Sequence, residues 1–125
     1  MGPFVVDSCV LIDVLRGYPP ALAFLKGLDA TPMVAAVTIA ELFAGAYRRG
    51  EEALIDDLAV QLDVIPLDFS IARLAGAFCR RYGSSHGVQL FDATIAATAQ
   101  RSTARLVTRN ARHFPMLDDL VVPYQ

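Results

Sequence analysis

The sequence predicts an α/β domain in which a short, mostly parallel sheet of four or five strands lies between two helical layers. Three observations carry this. Short apolar runs at 4–6, 33–37, 64–67 and 105–108 alternate with longer stretches of helical spacing. The first run, Phe4-Val5-Val6, passes through Asp7 straight into a helical stretch, with no loop between. No repeat, low-complexity segment or linker divides the 125 residues, which suffice for one core. Strands joined by helical crossovers give a parallel sheet, and residues 1–125 read as one domain.

In order, Phe4–Val6 has the continuous apolarity of a strand buried on both faces. Ser8–Leu15 follows as a helix with Val10, Leu11, Val14 and Leu15 on one face, Asp13 and Arg16 turned away, and Gly17 as its stop. Pro19-Pro20 opens a second helix striped by Leu22, Leu25 and Leu28. Met33–Val37 is a second buried strand. Thr38 then starts a helix with Glu41 three residues on, the spacing of a capping box, and this helix runs to Gly50 with Leu42, Phe43 and Tyr47 along it. Glu51–Leu62 carries Leu54, Leu58 and Leu62, and Val64–Leu67 is a short strand. Asp68 caps a helix lined by Ile71, Leu74, Ala75, Phe78 and Tyr82. Gly83–Gly87 (GSSHG) reads as the most mobile loop. Leu90–Gln100 is a helix of small residues able to pack close to the sheet, Arg105–Thr108 a further strand, and Leu120–Val122 a candidate edge strand.

The hydrophobic fraction is 54%, above the roughly 45–50% of ordinary soluble domains. No run of apolar residues is long enough to span a bilayer, and Asp7 and Asp13 interrupt the first apolar stretch, so neither a membrane span nor a signal peptide is expected. The expectation is a soluble, cytoplasmic protein that buries surplus apolar surface in an oligomer or against a partner. The net charge of −2 does not itself suggest nucleic acid. Ten of the eleven basic residues are nevertheless Arg, and Arg101, Arg105, Arg109 and Arg112 fall close together; guanidinium suits phosphate. Cys9 and Cys79 lack metal-ligand spacing and read as free thiols, and His86 and His113 are unpatterned.

Four polar residues share one position in this scheme. Asp7, Glu41, Asp92 and Asn110 each lie at the C-terminal end of an expected strand or in a helical turn near it. Taken singly, Asp7 can be an N-cap, Glu41 a capping-box acid and Asn110 a turn residue. Asp92, in LFDATIAATA, is expected to be deeply buried and so to need a partner. Taken together, strand ends of a parallel sheet converge on one crevice. Carboxylates gathered there at 4–6 Å repel by about 3–4 kcal/mol per pair, unless their pKa values rise or a cation neutralises them. A donor set of oxygens alone fits Mg²⁺ or Mn²⁺ rather than zinc, and a metal-held water is a hydrolytic nucleophile toward phosphodiesters. Ser8, Thr38 and Thr108 are candidates to hydrogen-bond the acids.

The stretches FVVDSCVLIDVLRG (4–17), TIAEL (38–42), LFDATIAATA (90–99) and LVTRNARHF (106–114) resemble those of the PIN-domain ribonucleases, specifically the VapC-type toxins of bacterial toxin–antitoxin pairs. The resemblance covers nearly the whole chain. It implies a three-layer PIN-like fold, Mg²⁺- or Mn²⁺-dependent endoribonuclease activity, dimerisation, and inhibition by a cognate antitoxin, with higher hetero-oligomers open. It places Asp7, Glu41 and Asp92 at the family's acids and Asn110 at a fourth position where Asp is frequent. The neutral Asn110 puts a second tightly held metal in doubt and favours a role in orienting water or an acid. Arg109 and Arg112 are our candidates for RNA phosphate contact. Two alternatives stand beside this reading: a receiver- or phosphatase-like domain, which would want a Lys near the late strands where this chain has only Lys26, and a non-catalytic RNA- or protein-binding module with its acids as caps.

Overall fold

The computed structural model describes residues 2–125. Four parallel strands form the sheet: β1 (Phe4–Val6), β2 (Met33–Ala35), β3 (Asp63–Ile65) and β4 (Arg105–Val107), in the order β3-β2-β1-β4. Six helices cover it: α1 (Ser8–Leu15), α2 (Pro19–Lys26), α3 (Ala36–Ala44), α4 (Glu51–Ala59), α5 (Phe69–His86) and α6 (Leu90–Arg101). A 3₁₀ turn, Ala111–His113, follows β4. The expected three-layer α/β/α architecture is thus observed, with four strands.

Alternation along β1 explains the layers. Phe4 and Val6 point into a core shared with Val10 and Leu11 of α1, Leu42 of α3, and Ile55 and Leu58 of α4. Val5, one residue out of phase, points to the other face and packs on Ile95, Ala96 and Ala99 of α6. All three strand residues are buried, as a doubly covered parallel strand requires. Seven consecutive residues of α6, Ala93–Ala99, are buried. Such a helix touches the sheet on one side and α5 on the other, and its Ala residues allow both approaches.

The order of the strands creates the crevice. From β1 the chain steps outward to β2 and β3, then returns across the sheet to place β4 on the opposite side of β1. Crossovers therefore diverge at the C-terminal ends of β1 and β4, the switch point at which open α/β sheets bind ligands.

Several expectations are corrected. Helix α3 begins at Ala36, not Thr38, because β2 stops at Ala35 and the helix starts without a loop. Thr38 is the third helical residue and no capping box forms; the N-cap is Ala35, without a side-chain bond. This helix ends at Ala44, so Tyr47 lies beyond it and is 90% exposed. In α4, which ends at Ala59, the buried residues are Ile55 and Leu58, Leu54 faces outward, and Leu62 is buried beyond the helix in the turn before β3. β3 covers Asp63–Ile65, since Pro66 has no N–H for the ladder. The GSSHG segment is not a loop: residues 83–86 complete α5, His86 sits edge-on to Tyr82, and Gly87 caps the helix at φ +68° with its N–H on the Gly83 carbonyl. The tail contributes one parallel bridge, Val121 to Val107, rather than a strand. Among the described residues, no single helix is long and apolar enough to cross a membrane.

The close packing of α6 is directly testable. Ala96 is fully buried against the sheet, and Ala96→Leu should lower stability to urea unfolding by roughly 1–3 kcal/mol, the usual cost of overpacking.

Candidate active site

Asp7 follows the last residue of β1 and is the N-cap of α1, with extended backbone at φ −73° and ψ 156°. Its own N–H extends the ladder to the Val107 carbonyl at 2.9 Å. The side chain is buried and well held. One carboxylate oxygen accepts from the Ser8 N–H at 2.8 Å and the other accepts from the Thr108 hydroxyl at 2.7 Å. The cap and the site are the same residue: a single geometry starts α1 and fixes the carboxylate at the switch point.

Thr108 is the first residue past β4 and is fully buried. Its oxygen donates to Asp7 and accepts the Asn110 N–H at 3.0 Å, so it joins the ends of the two strands. Cys9 Sγ completes the group, 3.5 Å from Asp7 Oδ2 and 3.6 Å from Thr108 Oγ1, and it accepts the Arg109 N–H at 3.4 Å. Burial and the neighbouring Asp7 charge push the Cys9 thiol up, so it is a weak thiol donor rather than a nucleophile.

Glu41 lies in the second turn of α3 and is half-buried. Burial raises its pKa, the Ser8 hydroxyl works the other way, and the charges of Asp7 and Asp92 raise it further. Glu41 Oε1 and Thr38 Oγ1, three residues apart on one helical face, are both buried without a hydrogen-bond partner in the described structure. Leaving such an atom unpaired costs about 1–3 kcal/mol. Asp92, in the first turn of α6, is half-buried rather than deeply buried, because Leu90 before it is exposed. Burial raises its carboxyl, His113 counters, and the Asp7 charge adds to the rise. Asp92 Oδ2 lies 3.6 Å from His113 Nδ1.

Three acids from three elements therefore share one electrostatic field. Among the described residues, no three Asp, Glu, His or Cys side chains stand together as an assembled metal cage. The donor set still fits a hard divalent cation: Glu41 and Asp92, held above the ordinary carboxylate range by burial and by the charge of Asp7, with a buried carboxylate oxygen left over, are stabilised by a positive charge beside them. Asn110 is exposed at the start of the 3₁₀ turn and reaches the group through its backbone N–H, not its amide.

The two arginine candidates differ. Arg109 donates to Asp13 at 2.8 Å and lies over the Tyr124 ring at 5.3 Å. Tyr124 also donates to Asp13, at 2.7 Å. Asp13, read from its helical position as turned to solvent, is instead largely buried beneath these two groups. Arg112, in the 3₁₀ turn, makes no ion pair among the described residues and lines a cavity beside Asp92. Cys9 and His113 are site neighbours that residue spacing alone does not single out. The contacts of Cys9 with Thr108 and Arg109, and of His113 with Asp92, depend on strand β4 arriving beside β1, a long-range pairing invisible in local spacing.

The raised carboxyl of Glu41 has a consequence for stability. Its folded pKa exceeds its unfolded value, so the native state binds the additional proton, and stability falls as pH rises between the two values. In metal-free buffer at neutral pH, Glu41→Gln should unfold at the same or a higher temperature than the parent. The advantage should shrink as pH drops into the ordinary carboxylate range; a lower melting temperature at neutral pH would contradict the electrostatic account.

Comparison with known proteins agrees with this geometry. The PIN domain model matches residues 4–120. Ribonuclease VapC19 of Mycobacterium tuberculosis is 40% identical over 126 residues, covering 96% of this chain and 98% of that protein. Ribonuclease VapC10 of the same organism is 39% identical over 123 residues, covering 96% and 92%. A toxin–antitoxin complex from Klebsiella pneumoniae contains a chain that superposes with a TM-score of 0.84 at 26% identity, over 97% of this chain and 98% of that one. By its fold, its strand-end acids and these relatives, the chain belongs to the PIN-domain family, among its VapC-type members.

Proposed function

We propose that the protein is a Mg²⁺- or Mn²⁺-dependent endoribonuclease and the toxin of a cytoplasmic toxin–antitoxin pair. One observation carries the chemistry: Asp7, Glu41 and Asp92 come from three separate elements into one field at the switch point, where Asp7 is pinned and the pKa values of the other two are raised. The ribonuclease names of the two mycobacterial relatives support RNA as the substrate, and the Klebsiella complex supports an antitoxin partner. Large exposed apolar residues, including Tyr47, Val60 and Phe69, support burial of further surface in a homodimer or against the antitoxin.

In hydrolysis a water oxygen attacks phosphorus, one ester oxygen leaves, and a proton moves from the first toward the second. Asp7, Glu41 and Asp92 would hold the divalent ion, which supplies positive charge for the phosphate oxygens and acidifies bound water. The chain's own work is positioning. Ser8 and Thr108 each satisfy one oxygen of Asp7, which fixes the plane of that carboxylate. Glu41 brings an oxygen free of protein partners. His113 stands beside Asp92, 3.6 Å from its Oδ2, and its ring favours the charged form of that carboxylate. Asn110, neutral and close to Thr108, is suited to orient water without adding charge.

Single-stranded RNA should be cleaved in the presence of Mg²⁺ or Mn²⁺ and left intact in EDTA. Asp7→Asn and Asp92→Asn should abolish cleavage and leave the circular dichroism spectrum unchanged. Cleavage that survives chelation, or either variant cutting as well as the parent, would sink the mechanism. Thr108→Val keeps the shape of the side chain but removes its bond to Asp7. It should reduce cleavage or metal affinity by roughly 10–100-fold, the range for residues that orient metal ligands.

A further inference from the structure

Beside Asp92 the structure holds a cavity of about 330 Å³, lined by His86, Gly87, Val88, Gln89, Arg112 and His113 as well as Asp92 itself. It forms where the end of α5, the start of α6 and the 3₁₀ turn after β4 meet. We infer that this cavity is a subsite for the RNA nucleotide next to the scissile bond, with Arg112 meeting its phosphate and Gln89 and His86 facing its base. The inference rests on the nuclease reading above and adds where the substrate strand lies.

Four observations support it. The first is location: Asp92 is both a wall of the cavity and one of the three coupled acids, so an occupant lies directly against the reaction site. The second is size. Ligand clefts run from about 300 Å³ upward, so this one admits a single nucleotide unit and not a longer segment. The third is charge. Arg109 is committed to Asp13 and stacked on Tyr124, whereas Arg112 has no ion pair among the described residues and keeps all its donors for a ligand. The fourth is preparation of the wall. His86 is held edge-on by Tyr82, and its Nδ1 meets the Ser85 hydroxyl at 2.7 Å, which leaves Nε2 for a polar edge. The αL turn at Gly87 folds the chain directly from α5 toward α6 and brings His86 and Gln89 to the same cavity. A basic guanidinium, an amide and an imidazole around a nucleotide-sized space match phosphate and base edge together.

The test separates binding from cleavage. In EDTA, binding of a labelled single-stranded RNA oligonucleotide is measured by fluorescence anisotropy across a salt series, for the parent, Arg112→Ala, Gln89→Ala and Arg73→Ala. Arg73 is exposed on α5 and serves as a control for net charge. Arg112→Ala should weaken binding and flatten the slope of log affinity against log salt by about 0.7, the loss of one single-strand phosphate contact. Arg73→Ala should leave the slope unchanged. Gln89→Ala should leave the slope unchanged but alter the base preference beside the cut when cleavage products are sequenced with metal present. If Arg112→Ala binds with the parent's affinity and slope, or flattens it no more than Arg73→Ala does, the subsite is not here. That result, with cleavage by the parent intact, refutes this inference alone; a parent that cuts no RNA refutes the nuclease reading instead.

Discussion

A single hydrogen bond, from the Thr108 hydroxyl to Asp7 at 2.7 Å, ties the sheet to the site. Asp7 directly follows β1 and Thr108 directly follows β4, strands separated by most of the chain yet adjacent in the sheet. The bond forms only when β4 has crossed back over β2 and β1 to take its place. Once formed, it fixes the Asp7 carboxylate, receives the Asn110 backbone through the same hydroxyl, and leaves Cys9 in contact with both side chains. The crevice is therefore a product of topology first and of side-chain chemistry second.

That ordering explains which features could be read from sequence. Apolar runs and helical spacing suffice for Phe4–Val6, Ser8–Leu15 and Leu90 onward, because these elements are buried in simple patterns. Placing acids at strand ends then follows from the general geometry of parallel sheets, without knowledge of side-chain contacts. Local chemistry misled where two rules competed. Thr38 and Glu41 have the spacing of a capping box, but Ala36 and Val37 join the helix first and turn Thr38 inward. Gly83, Ser84 and Ser85 look like a loop, yet the Tyr82–His86 contact and the Gly87 cap carry α5 through them. Contacts between distant segments left no local trace: Asp13 beneath Arg109 and Tyr124, and His113 against Asp92, depend on where the chain returns.

The site also shows a division of labour among its acids. Asp7 is the fixed one, with both oxygens engaged by the protein. Glu41 and Asp92 are less constrained and feel the cost of burial together with the charge of Asp7. An arrangement of one anchored and two electrostatically poised carboxylates stores repulsion in the folded chain. Burial of two carboxylates beside a third charge is the usual signature of a functional site rather than a structural one.

The edges of the sheet set a limit on how copies of this protein can meet. On the β4 side, Val121 donates to the Leu106 carbonyl and accepts from the Thr108 N–H, so the tail already covers part of the outer rim of β4. On the β3 side the strand is three residues long, opens with exposed Asp63 and is followed by Pro66. Short length, a charge and a proline all oppose strand addition. Neither rim invites a continuous intermolecular sheet. The surfaces left for assembly are the outer faces of the helices and the turns between them, where Phe69, Tyr47 and Val60 are exposed.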